Sequence, residues 1–426
     1  MRKIKGQDRL VKNIVLFLFL SQAGMPFFTG DINLAIDAGL TLFIFIATGK
    51  RFQFFFLKLL FAFVILMMAH VVLFQKFQIG PFAGFLVRLT YAFCAVRVIG
   101  QDFPKYYVQM MYMFTVLSLF LWAIFAFVPG TYNVAMNIAS SFVEPLELYA
   151  HNRNNLIIYT LGGTWLQQMP PRNAGPFWEP GAFGVFLVLA VLFNTMLSKN
   201  LFDKKNLVFF AAIITTFSLG TYTSTFLLIM VYFTFVKKVV KGFAIVPMVA
   251  IGILAVYSFY EFDFLGEKLF ERERFADQQL KEDVTYENLD YLVGRNEQSR
   301  LDMRDFQKSP IVGTGLFQGY EFGFSASGVT FVLRTWGILG TLLLFGTMYY
   351  SFKRYVQYRN LEKSYALLAL VTLIAIAISQ SLYGKPFFLG MTFIFLVNLK
   401  MVRKVANPPL DNLHQRGKTN QIQPGT

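Results

Sequence analysis

Apolar runs long enough to cross a bilayer constrain this chain more than any other feature. A crossing helix needs about 17–25 predominantly apolar residues, and about twelve such runs can be placed between Ile14 and Met401. They fall near residues 14–28, 33–48, 52–74, 79–99, 107–128, 177–197, 207–219, 222–236, 243–260, 331–352, 365–382 and 386–401. Backbone polar groups in hydrocarbon must be satisfied within the segment itself, so a chain of this kind crosses as helices. Composition agrees: 55% of residues are hydrophobic, 51 are Phe, and mean hydropathy is +0.50. The first run follows Arg2, Lys3, Lys5, Arg9 and Lys12 and imitates a signal peptide. Further runs follow at once, so it reads as an uncleaved first helix.

A formal charge of +15 would suggest nucleic acid as the partner of a soluble protein. Here the distribution of charge explains the excess. With the amino terminus inside, most of the 39 Lys and Arg fall on segments predicted to face the cytoplasm: 1–12, 50–51, 97–105, 199–205, 237–241, 353–363 and the stretch after 400. We therefore expect an all-α polytopic membrane protein, with both termini cytoplasmic, two large outer loops and no nucleic-acid partner. The expected parts are an N-terminal bundle (1–128), a first outer loop (129–176), central spans (177–260), a second outer loop (261–329), C-terminal spans (330–405) and a disordered cytoplasmic tail (406–426). The single cysteine, Cys94, lies in an apolar run, which excludes an intrachain disulfide and a thiolate metal cluster.

The first outer loop ends in Pro170-Pro171-Arg172-Asn173-Ala174-Gly175-Pro176-Phe177-Trp178-Glu179-Pro180-Gly181. Proline suits the first helical position because its missing N–H would be unpaired there anyway, so Pro180 marks a helix start with Glu179 just before it. A carboxylate at that place sits at the positive end of a helix dipole. Arg172 can reach the same mouth from the loop. The plain alternative is that Glu179 only caps the helix and Arg172 only faces headgroups.

Elsewhere, Asp37, Lys58 and Arg88 lie in apolar runs, where an ionisable group is costly and is normally paired, hydrated or able to snorkel. Arg88 is nearest the middle of its run and reads equally as half of an internal pair or as a pocket cation. In the first outer loop, residues 156–169 suit a short interfacial or re-entrant helix, and His151 reads as incidental. Residues 220–224, Gly-Thr-Tyr-Thr-Ser, read as a polar outer hairpin. The second outer loop holds most of the chain's 24 acidic residues and has two helical patterns, 267–288 and 297–308. On the second pattern Arg300 and Arg304 are four apart and share a face. Converging guanidinium groups suit a diphosphate; Asp302 and Asp305 could equally neutralise them as surface pairs. The Glu261-x-Asp263 pair is too weak to define a metal site.

Arg172, Gly175, Phe177 and Glu179-Pro180 opening one span, then Gly294-Arg295 and Pro310-Ile311-x-Gly313-x-Gly315 before another, resemble the O-antigen polymerase and O-antigen ligase superfamily. The likeness covers 172–340 in motif and the whole chain in topology. It implies a glycosyltransferase of the bacterial inner membrane, working on the periplasmic side. The implied substrates are oligosaccharide repeat units on undecaprenyl diphosphate. The implied products are O-antigen, capsule or exopolysaccharide, and no metal or other cofactor is implied. A chain-length regulator and a flippase of the same pathway are implied partners. Lipid diphosphate is already a good leaving group, so such an enzyme needs cations at the departing phosphate and a base for the acceptor hydroxyl. On this reading Arg172 and Arg295 are the leaving-group cations, and Glu179 is the base or the carboxylate that orients Arg172. Arg88, Arg300, Arg304 and Arg334 are further binding cations, and Tyr222 and Ser224 line the sugar cavity.

The ligase branch carries an outer histidine shortly before the span that follows the second large loop. Residues 325–330 hold none here, which favours a polymerase and leaves the base open. Two alternatives are retained: ligase-type transfer to another acceptor, and a flippase or transporter of lipid-linked oligosaccharide. Transporters commonly carry an internal repeat, and none is legible in this chain.

Overall fold

The computed structural model describes residues 5–142, 155–161, 171–239, 295–316 and 327–398. Among them the chain is all-helical, with one isolated antiparallel bridge between Asn155 and Thr160. Five helical stretches are long and apolar enough to cross a membrane: Phe54–Phe74, Ile79–Phe127, Pro180–Ser198, Leu219–Val236 and Gly328–Tyr358. The second has 49 residues and would run about 70 Å if straight, more than twice the ~30 Å of a hydrocarbon core. It turns instead at Gly100, whose φ of 81° is open to glycine, and so divides into α4 (Ile79–Ile99) and α5 (Phe103–Phe127).

Three helices precede that pair: α1 (Lys5–Gly24), α2 (Asp31–Ala47) and α3 (Phe54–Phe74). The outward face of α2 carries Ile32, Ile36, Phe43 and Ile46, all exposed, as suits a helix lying against lipid. After α5 come α6 (Thr131–Phe142), α7 (Pro180–Ser198), α8 (Lys204–Thr215) and α9 (Leu219–Val231), which continues through a π turn to Val236. The last group is α10 (Arg295–Lys308), α11 (Gly328–Tyr358), α12 (Ser364–Ser379) and α13 (Pro386–Gly390), followed by a 3₁₀ segment, Met391–Asn398.

The centre of the bundle is α7. Every residue from Gly181 to Met196 is buried, as expected of a helix that is apolar all round. It packs against α5, α8, α9 and α12. Gly184 permits the close approach to α9, because a Cβ there would fall 1.9 Å from Thr221 Oγ1. Above it Phe177 stacks on Phe186 at 4.2 Å, and Tyr107 on α5 donates to the Phe186 carbonyl at 2.8 Å.

Several expectations need correction. Residues 220–224 do not form a hairpin: the turn lies at 216–218, with Phe217 at φ 46°, and Gly220–Ser224 is the first part of α9. The first outer loop, read as a loop over 129–176, begins with a helix, α6, over 131–142. Residues 156–161 were expected to open a helix and instead form a tight turn, with Leu156 N donating to Tyr159 O. The last run is α-helical only to Gly390. Residues 243–260 and 267–288, Glu144, His151, Glu261, Asp263 and the tail 406–426 lie outside the described residues.

Candidate functional site

The chain entering α7 is held by buried polar bonds. Asn173 is fully buried; its amide donates to Thr215 Oγ1 at 3.0 Å and Ser118 Oγ at 3.3 Å, and its carbonyl oxygen accepts from Gly175 N. Its backbone N–H donates to the Thr215 carbonyl. Trp122 Nε1 donates to the Pro171 carbonyl, and Trp178 N to that of Gly24. Gly175 has φ 52°, and a Cβ there would press on the Phe183 ring at 3.0 Å. Arg172 and Glu179 thus project from a segment fixed at both ends.

Pro180 is the first residue of α7 and Glu179 holds the N-cap position, as the sequence predicts. The carboxylate does not cap, however: it accepts a hydrogen bond from the side-chain amide of Gln380, the residue that ends α12. Ser218, which precedes α9, is close by. Its Oγ and Glu179 Oε1 each lie 3.4 Å from the point a Gly181 Cβ would occupy. Arg172 reaches the same α8–α9 turn, its Nε donating to the Thr216 carbonyl at 3.1 Å. The Arg172 charge also acts on the hydroxyl of Tyr222, which donates to Ile214 O at 2.7 Å. Both Arg172 and Glu179 are half-buried. A guanidinium and a carboxylate therefore flank one turn, backed by the ends of α7, α9 and α12.

The remaining predicted residues are divided. Ser224 is buried and donates to the Gly220 carbonyl of its own helix. Arg295 begins α10, but its side chain lies outside the described part of the structure. Arg300 and Arg304 share the exposed face of α10, as expected. Asp302 and Asp305 do not sit beside them as surface pairs: both are buried, Asp305 bonds Lys308, and Asp302 lies 2.7 Å from Arg334 Nη1. With side chains only 7% and 2% exposed, the Arg334–Asp302 pair joins α10 to α11. Thr330 Oγ1 adds a bond to the same carboxylate at 2.8 Å. Arg334 is thus committed to an internal ion pair. Arg88 faces Asp31 at 3.9 Å.

The Pro310–Gly315 turn enters the bundle and repairs a break in α11. Gly337 has φ 61° and ψ −168°, which interrupts the helix. The carbonyls of Arg334 and Thr335 accept from Thr314 N at 2.7 Å and Gly315 N at 3.0 Å. In return, Ile338 N donates to Pro310 O and Leu339 N to Ile311 O. Freed backbone groups inside a membrane need such partners. His70, fully buried on α3, donates from Nε2 to the Val312 carbonyl at 2.6 Å; this contact fixes its tautomer.

Sequence reasoning missed Gln380, Asn173 and His70. Asn173-x-Gly175 carried a local turn signal; Gln380 and His70 act through partners 201 and 242 residues away and had none. Comparisons with protein-family models, curated proteins and solved structures found no match to this chain. Fold and geometry together define a chain that is helical throughout its described residues, with five helical stretches long and apolar enough to cross a membrane and with a guanidinium and a carboxylate near the start of its central helix.

Proposed function

We propose that the chain is a membrane glycosyltransferase related to the O-antigen polymerases and ligases. It crosses the bacterial inner membrane about twelve times, keeps both termini in the cytoplasm, and joins undecaprenyl-diphosphate-linked repeat units at its periplasmic face. The observation that supports this reading is that Arg172 and Glu179 both lie beside the α8–α9 turn. In the reaction, the acceptor hydroxyl oxygen bonds to the anomeric carbon of the donor. The bond from that carbon to the diphosphate breaks, and its electron pair leaves with the diphosphate. Glu179 takes the hydroxyl proton, Arg172 offsets the charge of the departing group, and Gln380 positions Glu179.

The test is incubation of the purified full-length protein with a synthetic lipid-diphosphate repeat unit, with products separated by size. A ladder supports polymerisation. A single transfer to a different acceptor supports the ligase reading. A flippase has one observation in its favour, the break in α11 at Gly337, since interrupted helices recur in transporters. Lipid-linked sugar moved across a vesicle membrane without chemical change would favour that reading and remove Glu179 from its role as base.

A further inference from the structure

Apart from the Arg172–Glu179 cluster, an apolar surface stands at the C-terminal end of α5. One face of that helix carries Met113, Val116, Phe120 and Phe127, all exposed, and they belong to a stretch apolar enough to cross a membrane. The exposed apolar surface does not stop where α5 stops. Val128 follows Phe127, Val134 and Ile138 stand on α6, and Ile157 and Ile158 stand in the turn at 155–160, each between 43% and 58% exposed. The end of α5, α6 and the turn pack as one unit. The Tyr159 ring is buried against Phe125 of α5, with centroids 5.4 Å apart, and Tyr159 and Leu161 share one apolar cluster with Ala135 and Ala139 of α6.

On α6, Val134 and Ile138 are four apart and lie on one flank. Ala135 and Ala139 face the cluster, and Asn133 and Asn137 occupy the exposed side opposite them. An apolar flank beside a polar side is the pattern of a helix lying along a membrane surface. No charged residue occurs between Lys105 and Glu144, nor within 155–161. Surface that faces water ordinarily carries charge, whereas charge is costly beside hydrocarbon. Ile157 adds an independent observation. Its φ is 68°, a left-handed conformation that is unfavourable for a β-branched residue. The turn is nevertheless closed tightly: Asn155 Nδ2 donates to Thr160 Oγ1 at 2.8 Å, Asn155 Oδ1 accepts from Ile157 N, and Leu156 N donates to Tyr159 O at 2.8 Å. Gly or Asn would suit that φ better, so an exposed isoleucine there points to apolar surroundings that offset the strain.

We propose that α6 and the Ile157–Ile158 turn insert into the lipid leaflet that borders the C-terminal end of α5. Val134, Ile138, Ile157 and Ile158 then lie among acyl chains, and Asn133 lies at the headgroup level. The partner is lipid rather than a second copy of the chain, because the patch continues the exposed stripe of α5 and lacks the charged rim of a protein interface. Two bonds tie this unit to the segment that carries Arg172: Thr160 N donates to the Gly175 carbonyl at 2.7 Å, and Trp122 Nε1 donates to that of Pro171. Insertion of the unit therefore holds that segment at the membrane boundary.

The experiment is fluorescence quenching on the full-length protein in nanodiscs of phosphatidylglycerol and phosphatidylcholine. Cys94, the chain's single cysteine, is buried, so the unaltered chain serves as the labelling blank. Ile157→Cys, Ile158→Cys, Val134→Cys and Ile138→Cys are labelled with a fluorophore one at a time, with Asn133→Cys as the control on the polar side. Lipid carrying a nitroxide on its acyl chain should quench the four apolar positions more strongly than iodide in the buffer does, and at position 133 iodide should be the stronger quencher. If Ile157→Cys fails to fold, Ile158→Cys and Ile138→Cys carry the test. Stronger quenching of the apolar positions by iodide than by the nitroxide lipid overturns the proposal. Protection of those positions from both quenchers also overturns it, and means that protein covers the patch. No substrate is present, so the result is separate from the success or failure of the transferase reading.

Discussion

The Glu179 carboxylate accepts a hydrogen bond from the side-chain amide of Gln380, 201 residues further along the chain. It joins the residue before the central helix to the residue that ends α12, and it turns the carboxylate away from the cap role its position suggests. Function and stability can therefore be separated at this pair.

Gln380→Leu removes the donor and should lower stability by about 1–2 kcal/mol, the low end for a bond to a charged group because the site is half-buried. Turnover should fall more than stability, as Glu179 loses its orientation. The exchanged pair Glu179→Gln with Gln380→Glu can re-form the bond in reverse. It should recover the thermal unfolding temperature in detergent and leave turnover low.

Gly184→Ala places a methyl group where Thr221 Oγ1 would be 1.9 Å away and Thr221 Cβ 2.7 Å away. Overpacking of this kind costs about 1–3 kcal/mol. Thr221→Ala should relieve part of it, because it removes the nearest atoms without costing a hydrogen bond while Thr221 Cβ still stands 2.7 Å away. Thermal unfolding of the two single variants and the double variant measures the coupling.

Local signals in the sequence carried well and distant ones did not. Pro180 opens α7, and Arg300 and Arg304 share a face of α10, because both follow from backbone chemistry within one or two turns. Residues 220–224 misled because their polarity resembles a turn. Thr223, Ser224 and Thr225 instead donate to the carbonyls four residues back, which lets a polar stretch continue as helix. Pairing of Asp302 with its neighbours on α10 is one of two readings the sequence leaves open, and Asp302 instead binds Arg334 on α11. The Gln380–Glu179 bond and the insertion of Pro310–Gly315 at Gly337 depend on how distant helices pack, which no local pattern in one sequence records.

Breaking the Asp302–Arg334 pair should be costly. Arg334→Met removes the cation 2.7 Å from a carboxylate that is 2% exposed, a change worth about 3–5 kcal/mol in buried pairs. Adding Asp302→Leu should return much of that loss. A double-mutant cycle on unfolding in detergent measures it. If Arg334 instead serves chiefly as a substrate cation, the single variant should unfold like the wild type.

Lys385 links stability to pH. Its ammonium ordinarily titrates near 10.5 and is lowered to about 8 in the folded protein. Between those values the unfolded chain holds a proton that the folded chain has released, so this residue makes stability rise with pH across that window. Below it both states are protonated and the effect ends. Unfolding measured at pH 7 and pH 9.5 should show this rise in wild type, and the contribution should vanish in Lys385→Gln.

The most direct test of the central claim is the single-turnover rate at which lipid diphosphate is released from a synthetic repeat-unit donor in the presence of acceptor. Wild type, Arg172→Ala and Glu179→Gln would be compared at equal folded concentration. The proposed chemistry predicts release coupled to a new glycosidic bond, and a loss of about 100-fold or more in each variant. Release at the wild-type rate in both variants, or intact donor with the wild type, would contradict it.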